Sequence, residues 1–230
     1  QEGWEAGGWG GISYYIGDLN TNFVTDIKAF GLGAGLIGRY NFNERVCLKS
    51  SANYIKIRGR DSYSNNPFER RRNLIFSTDI VEWANQLEFN FLPYRHGSED
   101  EFFTPYLFAG FSVFYFNPRG KLEGTWYNLR EYGTEGQRRS EEYYSISAGV
   151  LFGGGLKVDL SYEWSLNFEL AGRYTFSDYL DDVSTVYPDM DDLARRRGEI
   201  AVALSDRSRG NLEDFAQPGD QRGDPTTRDV

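Results

Sequence analysis

The sequence predicts an all-β protein, a transmembrane antiparallel up-and-down β-barrel of eight strands, and three observations lead to that fold class. Aromatic residues make up 17% of the chain and glycine contributes 26 residues, a combination typical of barrels. Mean hydropathy is only −0.58, which excludes apolar membrane helices but suits strands on which every second side chain meets lipid. Apolar and polar residues alternate with period two along several segments between turn signals.

Seven segments carry this alternation. In chain order they are Gly8–Leu19, Phe30–Phe42, Arg45–Ile57, Phe76–Leu92, Pro105–Asn117, Tyr143–Leu160 and Tyr162–Ser177. They are long for strands of a globular protein, and their lengths match tilted strands that cross a bilayer.

The seventh segment shows the pattern most clearly, because Trp164, Leu166, Phe168 and Leu170 alternate with polar or small residues. A water-soluble antiparallel sheet, with one face in a core, would show the same alternation. Two details favour the membrane. Aromatic residues such as Phe42 and Phe176 lie near the ends of segments, as an interfacial girdle requires. The polar faces are rich in glycine and serine, which suits a narrow lumen.

The connections between segments differ in length in a regular way. From the first strand onward they are Asn20–Ala29, Asn43–Glu44, Arg58–Ile75, Pro93–Thr104, Pro118–Glu142 and Ser161. Shorter and longer connections therefore alternate, as in bacterial outer-membrane barrels, where short turns are periplasmic and long loops extracellular. This pattern predicts a protein of the cell outer membrane, surrounded by its lipids, with a periplasmic N-terminus.

The chain divides into two parts on this interpretation. Residues 1–177 hold strands one to seven, and residues 178–230 form a long extracellular loop or tail. That tail has a short helix within Asp191–Leu204 and an irregular stretch over Asp206–Asp229. Lipid does not tolerate unpaired strand edges, and bacterial barrels have even strand numbers. We therefore expect an eighth, closing strand to follow Val230.

Eight charged residues on the polar faces predict an ion-pair network in the lumen. They are Arg39, Lys49, Glu82, Glu88, Lys157, Asp159, Glu169 and Arg173. Both signs are present, and unpaired charges away from water are costly, so we expect these residues to pair into a structural plug. A conducting pore is the alternative, but eight strands enclose little more than side chains.

Several other classes of function find little support in the sequence. A formal charge of −9 argues against nucleic-acid binding. Cys47 is the single cysteine, which excludes an internal disulfide. His96, the single histidine, lies in a polar turn, so we expect no enzyme, no catalytic residue and no cofactor. Carboxylates around Asp178–Asp182 leave a calcium site open, but the apolar residues among them favour local packing.

Two arginine runs, Arg70–Arg72 and Arg195–Arg197, lie in predicted external segments. Arginine binds phosphate in bidentate fashion, so these runs would suit lipopolysaccharide phosphates. Solvated loop charge is the favoured interpretation.

Six stretches resemble a known family. They are GISYYIGDLN (Gly11–Asn20), QLEFNFLPY (Gln86–Tyr94), FTPYLFAGFSVFYFN (Phe103–Asn117), LREYGTEGQ (Leu129–Gln137), FGGGLK (Phe152–Lys157) and RYTFSDYLDDVSTVY (Arg173–Tyr187). In these stretches, which span most of Gly11–Tyr187 in order, the chain is similar to the PorG-like outer-membrane barrels of the type IX secretion system. The part YLDDVSTVY is fairly specific. The resemblance implies a non-enzymatic eight-stranded barrel whose partners are a PorK-like lipoprotein and a PorN-like protein of a periplasmic ring.

The predicted periplasmic edge would supply the contacts to such a ring. Its residues are Asn43, Glu44, Arg45, Tyr94, Arg95 and His96, and ordinary turn chemistry is the alternative role. The leading hypothesis is a barrel that anchors or docks the ring at the outer membrane. A stand-alone adhesin that acts through its extracellular loops is the main alternative. A soluble ligand-binding barrel is a third, which the exposed aromatic faces disfavour.

Overall fold

The computed structural model describes residues 3–20, 29–208, 216–224 and 229, and it is dominated by one antiparallel sheet. Its strands are β1 (Gly3–Ser13), β2 (Gly31–Asn41), β3 (Val46–Arg60), β4 (Ile75–Asn90), β5 (Phe103–Leu122), β6 (Thr125–Asn128), β7 (Ile146–Ser161) and β8 (Trp164–Thr175). They are ordered β1–β2–β3–β4–β5–β7–β8, and β6 pairs only with β5. The prediction of an all-β, up-and-down barrel fold is confirmed.

The sheet curls into an incomplete barrel, because side chains of distant strands meet on its inner face. The Nζ of Lys49 in β3 lies 2.5 Å from Oε2 of Glu169 in β8. The Nε of Arg173 in β8 lies 2.9 Å from Oε1 of Glu82 in β4. Within the described part of the chain, β1 and β8 are the two edges of the sheet and do not pair with each other.

Three predicted segments fall wholly or partly outside the described residues. The closing strand expected beyond Val230 is one of them. The others are most of the link Asn20–Ala29 and parts of the irregular stretch Asp206–Asp229.

The two faces of the sheet differ as the alternation predicts. Leu36 and Leu170 point outward and are 72% and 83% exposed, whereas Glu88 and Lys157 point inward and are 0% and 1% exposed. Successive residues of a strand point to opposite faces, so one alternating sequence supplies both surfaces. Apolar side chains therefore cover the outside of the sheet, and charged groups lie within.

The interior is nevertheless less polar than the alternation predicts. One end of the lumen holds an apolar cluster made of Tyr15, Leu19, Ile55, Ile57, Leu74, Phe76, Ile80, Phe114, Phe116, Leu180 and Val183. Strand β5 explains much of the difference, because it is apolar on both faces: Phe114 and Phe116 point inward, while Val113 and Tyr115 point outward. A strand buried on one side and apolar on the other is an almost continuous apolar run.

Strand boundaries shift from the predicted ones by a few residues, and the shifts are largest in β1 and β5. Strand β1 covers Gly3–Ser13, whereas the predicted strand was Gly8–Leu19. The glycine-rich start has few apolar side chains to reveal its alternation. Strand β5 continues into the predicted loop Pro118–Glu142 and turns back into β6. Glu123 and Gly124 form that hairpin turn with φ of 49° and 90°, since positive φ at both central residues matches the twist of a two-residue hairpin.

The connections differ strongly between the two ends of the sheet. At the short-turn end, the links run from β2 to β3, from β4 to β5 and from β7 to β8. The long-loop end carries the helices α1 (Pro67–Arg72), α2 (Leu129–Tyr132), α3 (Met190–Arg197) and α4 (Glu199–Ser205). The sequence predicts one helix within Asp191–Leu204, but Gly198 with φ of 87° separates it into α3 and α4.

Among the described residues, the helices are all too short or too polar to cross a membrane.

Candidate functional site

Glu88 lies at the centre of the charged lumen. Its carboxylate contacts three cations: Nζ of Lys157 at 2.6 Å, Nε of Arg39 at 3.0 Å and Nζ of Lys49 at 3.6 Å. These side chains come from β4, β7, β2 and β3, at positions that the strand alternation turns inward. All four are buried. A buried carboxylate with this many cations is held in the charged form, and each cation is compensated in turn.

Strand β8 adds two further ion pairs to the lumen, one that joins the network through Glu169 and one that Arg173 makes separately with Glu82 on β4. Glu169 accepts a hydrogen bond from Nζ of Lys49 at 2.5 Å and one from the Tyr106 hydroxyl at 2.8 Å. Arg173 donates two hydrogen bonds to Glu82, at 2.9 and 3.1 Å. Glu82 also accepts one from Asn53 at 2.9 Å. Bidentate arginine–carboxylate pairs are among the strongest charge-assisted contacts, so this pair fixes β8 against β4.

His96 connects the network to the short-turn end. Its Nδ1 lies 2.7 Å from Asp159 Oδ1, and its Nε2 lies 3.0 Å from Glu5 Oε1. Glu5 in turn contacts Nη1 of Arg39 at 2.8 Å. The hydrogen bond to Glu5 raises the pKa of His96, as does the hydrogen bond to Asp159. The link between β4 and β5 therefore folds inward and its imidazole bridges β1 and β7.

All eight lumen residues predicted from the sequence make ion pairs inside the sheet, in one main group and one separate pair. Arg39, Lys49, Glu88, Lys157 and Glu169 are connected directly. Glu82 and Arg173 form a separate pair, and Asp159 joins through His96. Glu5 is a further member of this group that was not predicted, because it precedes the first predicted strand. The alternation of outward Trp4 with inward Glu5 was the available signal.

The lumen network lends itself to a structural role. Its charges neutralise one another at short range, and the aromatic rings of Tyr106 and Phe108 lie under the ammonium groups of Lys157 and Lys49. Cations over aromatic faces gain additional electrostatic stabilisation. The network makes ion pairs and hydrogen bonds between strands, and these contacts stabilise the sheet from its inner face.

The six predicted partner-binding residues divide into two groups. Asn43, Glu44, Arg45 and Arg95 lie at the surface of the short-turn end, whereas Tyr94 is buried and His96 points into the lumen. The Oδ1 of Asn43 accepts hydrogen bonds from the backbone N–H groups of Arg45 at 2.8 Å and Val46 at 2.9 Å, which shapes the β2–β3 turn. Arg45 donates to the Phe91 carbonyl at 2.7 Å, and Arg95 pairs with Glu44.

The long-loop end is closed by the segment that follows β8. Thr78 on the inner face of β4 donates to the Leu180 carbonyl at 2.5 Å, so this segment enters the lumen. The hydroxyl of Tyr15 lies 2.6 Å from both Asp181 Oδ2 and Asp229 Oδ1. Burial raises the pKa of Asp181, and it raises that of Asp229 to about 7. We call this group of three side chains the cap triad.

The fairly specific stretch YLDDVSTVY forms this closure. Tyr179 stacks on Tyr143 with ring centroids 4.5 Å apart. Asp182 accepts hydrogen bonds from Thr134 and, at 2.7 Å, from the Tyr143 hydroxyl. The Asp178–Asp182 carboxylates thus bind the protein's own donors, and no metal-holding acidic group is found among the described residues.

The two arginine runs, which were predicted to be solvated loop charge, are only partly so. Arg72 is buried and donates two hydrogen bonds to Asp61, each at 2.8 Å. Arg197 pairs with Glu142 at 2.9 Å. Arg70, Arg71 and Arg195 are exposed.

Comparison with known proteins yields one family. A comparison with curated proteins finds no match. A family described as a domain of unknown function, DUF6089, matches residues 3–200, which include every strand of the sheet and the start of the long-loop closure. The chain therefore belongs to the DUF6089 family.

Proposed function

We propose that this chain is an outer-membrane β-barrel of the type IX protein secretion system, which docks a periplasmic lipoprotein ring at the membrane. The observation that carries the membrane assignment is the apolar outer belt. It contains Ile12, Leu32, Leu36, Val81, Trp83, Leu87, Leu107, Phe111, Val113, Phe152, Leu166, Phe168 and Leu170, all exposed. Water-soluble monomers rarely expose an apolar surface that surrounds the molecule, so hydrocarbon is its natural neighbour.

Aromatic rows border the belt at both ends, as the two interfaces of a bilayer require. Trp4, Tyr40 and Phe42 pack together at the short-turn end, with centroids 5.0 and 5.2 Å apart. Tyr54 and Tyr115 are half exposed toward the long-loop end. Aromatic side chains prefer the head-group level, because one end is apolar and the other polar.

The assignment to type IX secretion rests on the six resembling stretches and on the arrangement of the ends. A PorG-like barrel with a periplasmic N-terminus would present the short-turn end to the periplasm. Asn43, Glu44, Arg45 and Arg95 are the accessible members of the predicted docking set at that end. Their partners would be the PorK-like lipoprotein and the PorN-like ring protein. The filled lumen supports docking rather than conduction.

Co-purification in mild detergent from native envelopes tests the proposal. The tagged protein should retain the ring lipoprotein, and a double variant Arg45→Glu/Arg95→Glu should lose it at equal abundance in the outer membrane. Arg70→Glu/Arg71→Glu, at the other end, is the matched control and should retain it. Recovery of the barrel alone from the wild type would instead favour the adhesin alternative.

A further inference from the structure

A basic cleft lies on the outer face of the sheet at the long-loop end. It has a volume of about 450 Å³ and is formed by the last residues of β3, the first of β4 and the last of β5, with β6 at its rim. Its charged lining consists of Lys56, Arg58, Arg60, Arg119 and Lys121, and Tyr63 and Trp126 are among its aromatic residues. Five cations in one cleft are unexpected in a chain whose formal charge is −9.

Strand register explains why the cations converge. Arg58 pairs with Ser77, which pairs with Arg119 on its other side. Neighbouring strands are about 4.8 Å apart, so the Cα atoms of Arg58 and Arg119 lie about 10 Å apart on either side of a small side chain. Lys56 lies one step toward the middle of β3, in register with Asp79. A larger residue in place of Ser77 would fill the floor of the cleft.

The positive charge of the cleft is only partly compensated. Asp79 is the carboxylate nearest to it, with Nζ of Lys56 at 3.1 Å and an ion pair to Arg119. Arg58 makes no ion pair with any described residue. Lys121 lies over the ring of Trp126 with Nζ 5.8 Å from the centroid. Several cations therefore remain to meet an anion from outside.

The height of the cleft on the barrel indicates where that anion comes from. The Tyr54–Val81–Tyr115 row marks the edge of the apolar belt, and Lys56 and Asp79 lie one row beyond it on the same face. The Tyr54 hydroxyl donates to Asp79 Oδ1 at 2.7 Å, which joins the belt to the cleft. Residues two positions apart on a strand are separated by about 7 Å. A group in the cleft would thus lie at the level of lipid head groups.

We propose that the cleft binds the phosphorylated head group of a lipid in the leaflet at the long-loop end. Arginine and lysine are the side chains that grip phosphate, and the guanidinium fork offers paired donors. The acyl chains of the same lipid would cover the belt below Tyr54 and Tyr115. This inference rests on the membrane location given under the proposed function, but not on type IX secretion.

Binding of diphosphorylated lipid A to the purified protein in detergent micelles tests the cleft. The variant Arg58→Gln/Lys121→Gln removes two cations without breaking a described ion pair. Each cation near an anionic surface contributes a factor of about five, so the loss of two should lower the affinity about 25-fold. The control Arg138→Gln/Arg139→Gln removes two exposed arginines from the link between α2 and β7, outside the cleft, and should bind as the wild type does. Heat-modifiable gel migration checks that every variant is folded.

Three outcomes would overturn the proposal. One is wild-type affinity of the cleft variant. Another is equal binding of lipid A from which both phosphates have been removed. The third is that inorganic phosphate at the same concentration competes as well as the lipid, which would make the ligand a free anion. Membrane location is measured separately, by protease protection in phosphatidylcholine vesicles. A protein that binds lipid A in micelles but fails to insert would contradict the proposed function and leave the cleft as a lipid-phosphate site.

Discussion

Lys157 and Glu88 face each other inside the sheet, with Nζ of Lys157 2.6 Å from Oε2 of Glu88, and this contact joins β7 to β4 across the intervening β5. Glu88 is also within ion-pair distance of Arg39 and Lys49. One carboxylate therefore organises three cations that would otherwise repel one another in a water-poor space. Its loss would leave those cations without a shared counter-ion.

Glu88→Gln should lower the free energy of unfolding by about 3–5 kcal/mol, because removing one partner leaves buried charges uncompensated. Urea titration in detergent, followed by tryptophan fluorescence, measures the change. Glu99→Gln, at an exposed position of the β4–β5 link, is the control and should change the free energy by less than about 0.5 kcal/mol. Equal midpoints for wild type and Glu88→Gln would show that the network does not brace the sheet.

His96 should titrate above the ordinary histidine pKa of about 6.5, because its ring hydrogen-bonds to Glu5 and Asp159. A raised pKa in the folded state means that the stabilisation is fully present below about 6.5 and is lost as pH rises through the folded pKa. His96 is the single histidine, so its imidazole signal in an NMR titration is unambiguous. Glu5→Gln should move the titration back toward 6.5. A wild-type titration at or below 6.5 would contradict the bridge.

The cap triad should make the stability of the protein depend on pH. A tyrosine hydroxyl has one hydrogen, yet the Tyr15 oxygen is 2.6 Å from both carboxylates. One of these carboxyl groups must therefore be protonated to donate to Tyr15. Asp229 Oδ2 accepts from the Leu180 backbone at 2.9 Å, and Asp181 accepts from two backbone donors. Burial raises the pKa of both carboxyl groups, so the two share one proton.

The sign follows from the raised pKa of Asp229. Its stabilisation is complete below the unfolded value near 3.9 and is lost as pH rises through about 7. The urea midpoint of the wild type should therefore fall between about pH 6 and about pH 9. Asp229→Asn imitates the protonated form and should flatten that dependence. An equally steep dependence in the variant would place the titrating group elsewhere.

Gly110 should be intolerant of a side chain. A Cβ at this position of β5 would lie 2.0 Å from the backbone oxygen of Asn85 in β4. Gly110→Ala would push the two strands apart, and overpacking of this kind costs about 1–3 kcal/mol. Gly10→Ala in β1 is the matched control, since its Cβ would meet nothing within 4 Å. The two variants should differ in urea midpoint, and identical midpoints would argue against close β4–β5 contact at Gly110.

Strand alternation was sufficient to predict much of this structure. In β8 the apolar and polar positions separate cleanly, so both the face of Leu170 and the inward placement of Glu169 and Arg173 follow from sequence spacing. Register then brings charges of opposite sign together in the narrow lumen, where an unpaired charge would be costly. The lumen network was predictable for this reason.

Strand alternation could not predict the contacts that irregular segments of the backbone make. Tyr15 and Asp181 are 166 residues apart, and nothing in that spacing predicts the hydrogen bond between them. The sequence around His96 indicates only a polar turn, and the contacts of His96 with Glu5 and Asp159 depend on the fold. The basic cleft was missed for another reason: its cations come from two strands, β3 and β5, and their convergence depends on how far these strands extend beyond the predicted ends.

The inward fold of the β4–β5 link has a mechanical consequence. A load applied at Arg95 would pass through its neighbour His96 to Glu5 and Asp159, and from Glu5 through Arg39 to Glu88. Tension at a single surface turn would thereby be shared among β1, β2, β4 and β7, instead of peeling one hairpin from the sheet. A partner tethered at this end would therefore load these four strands together.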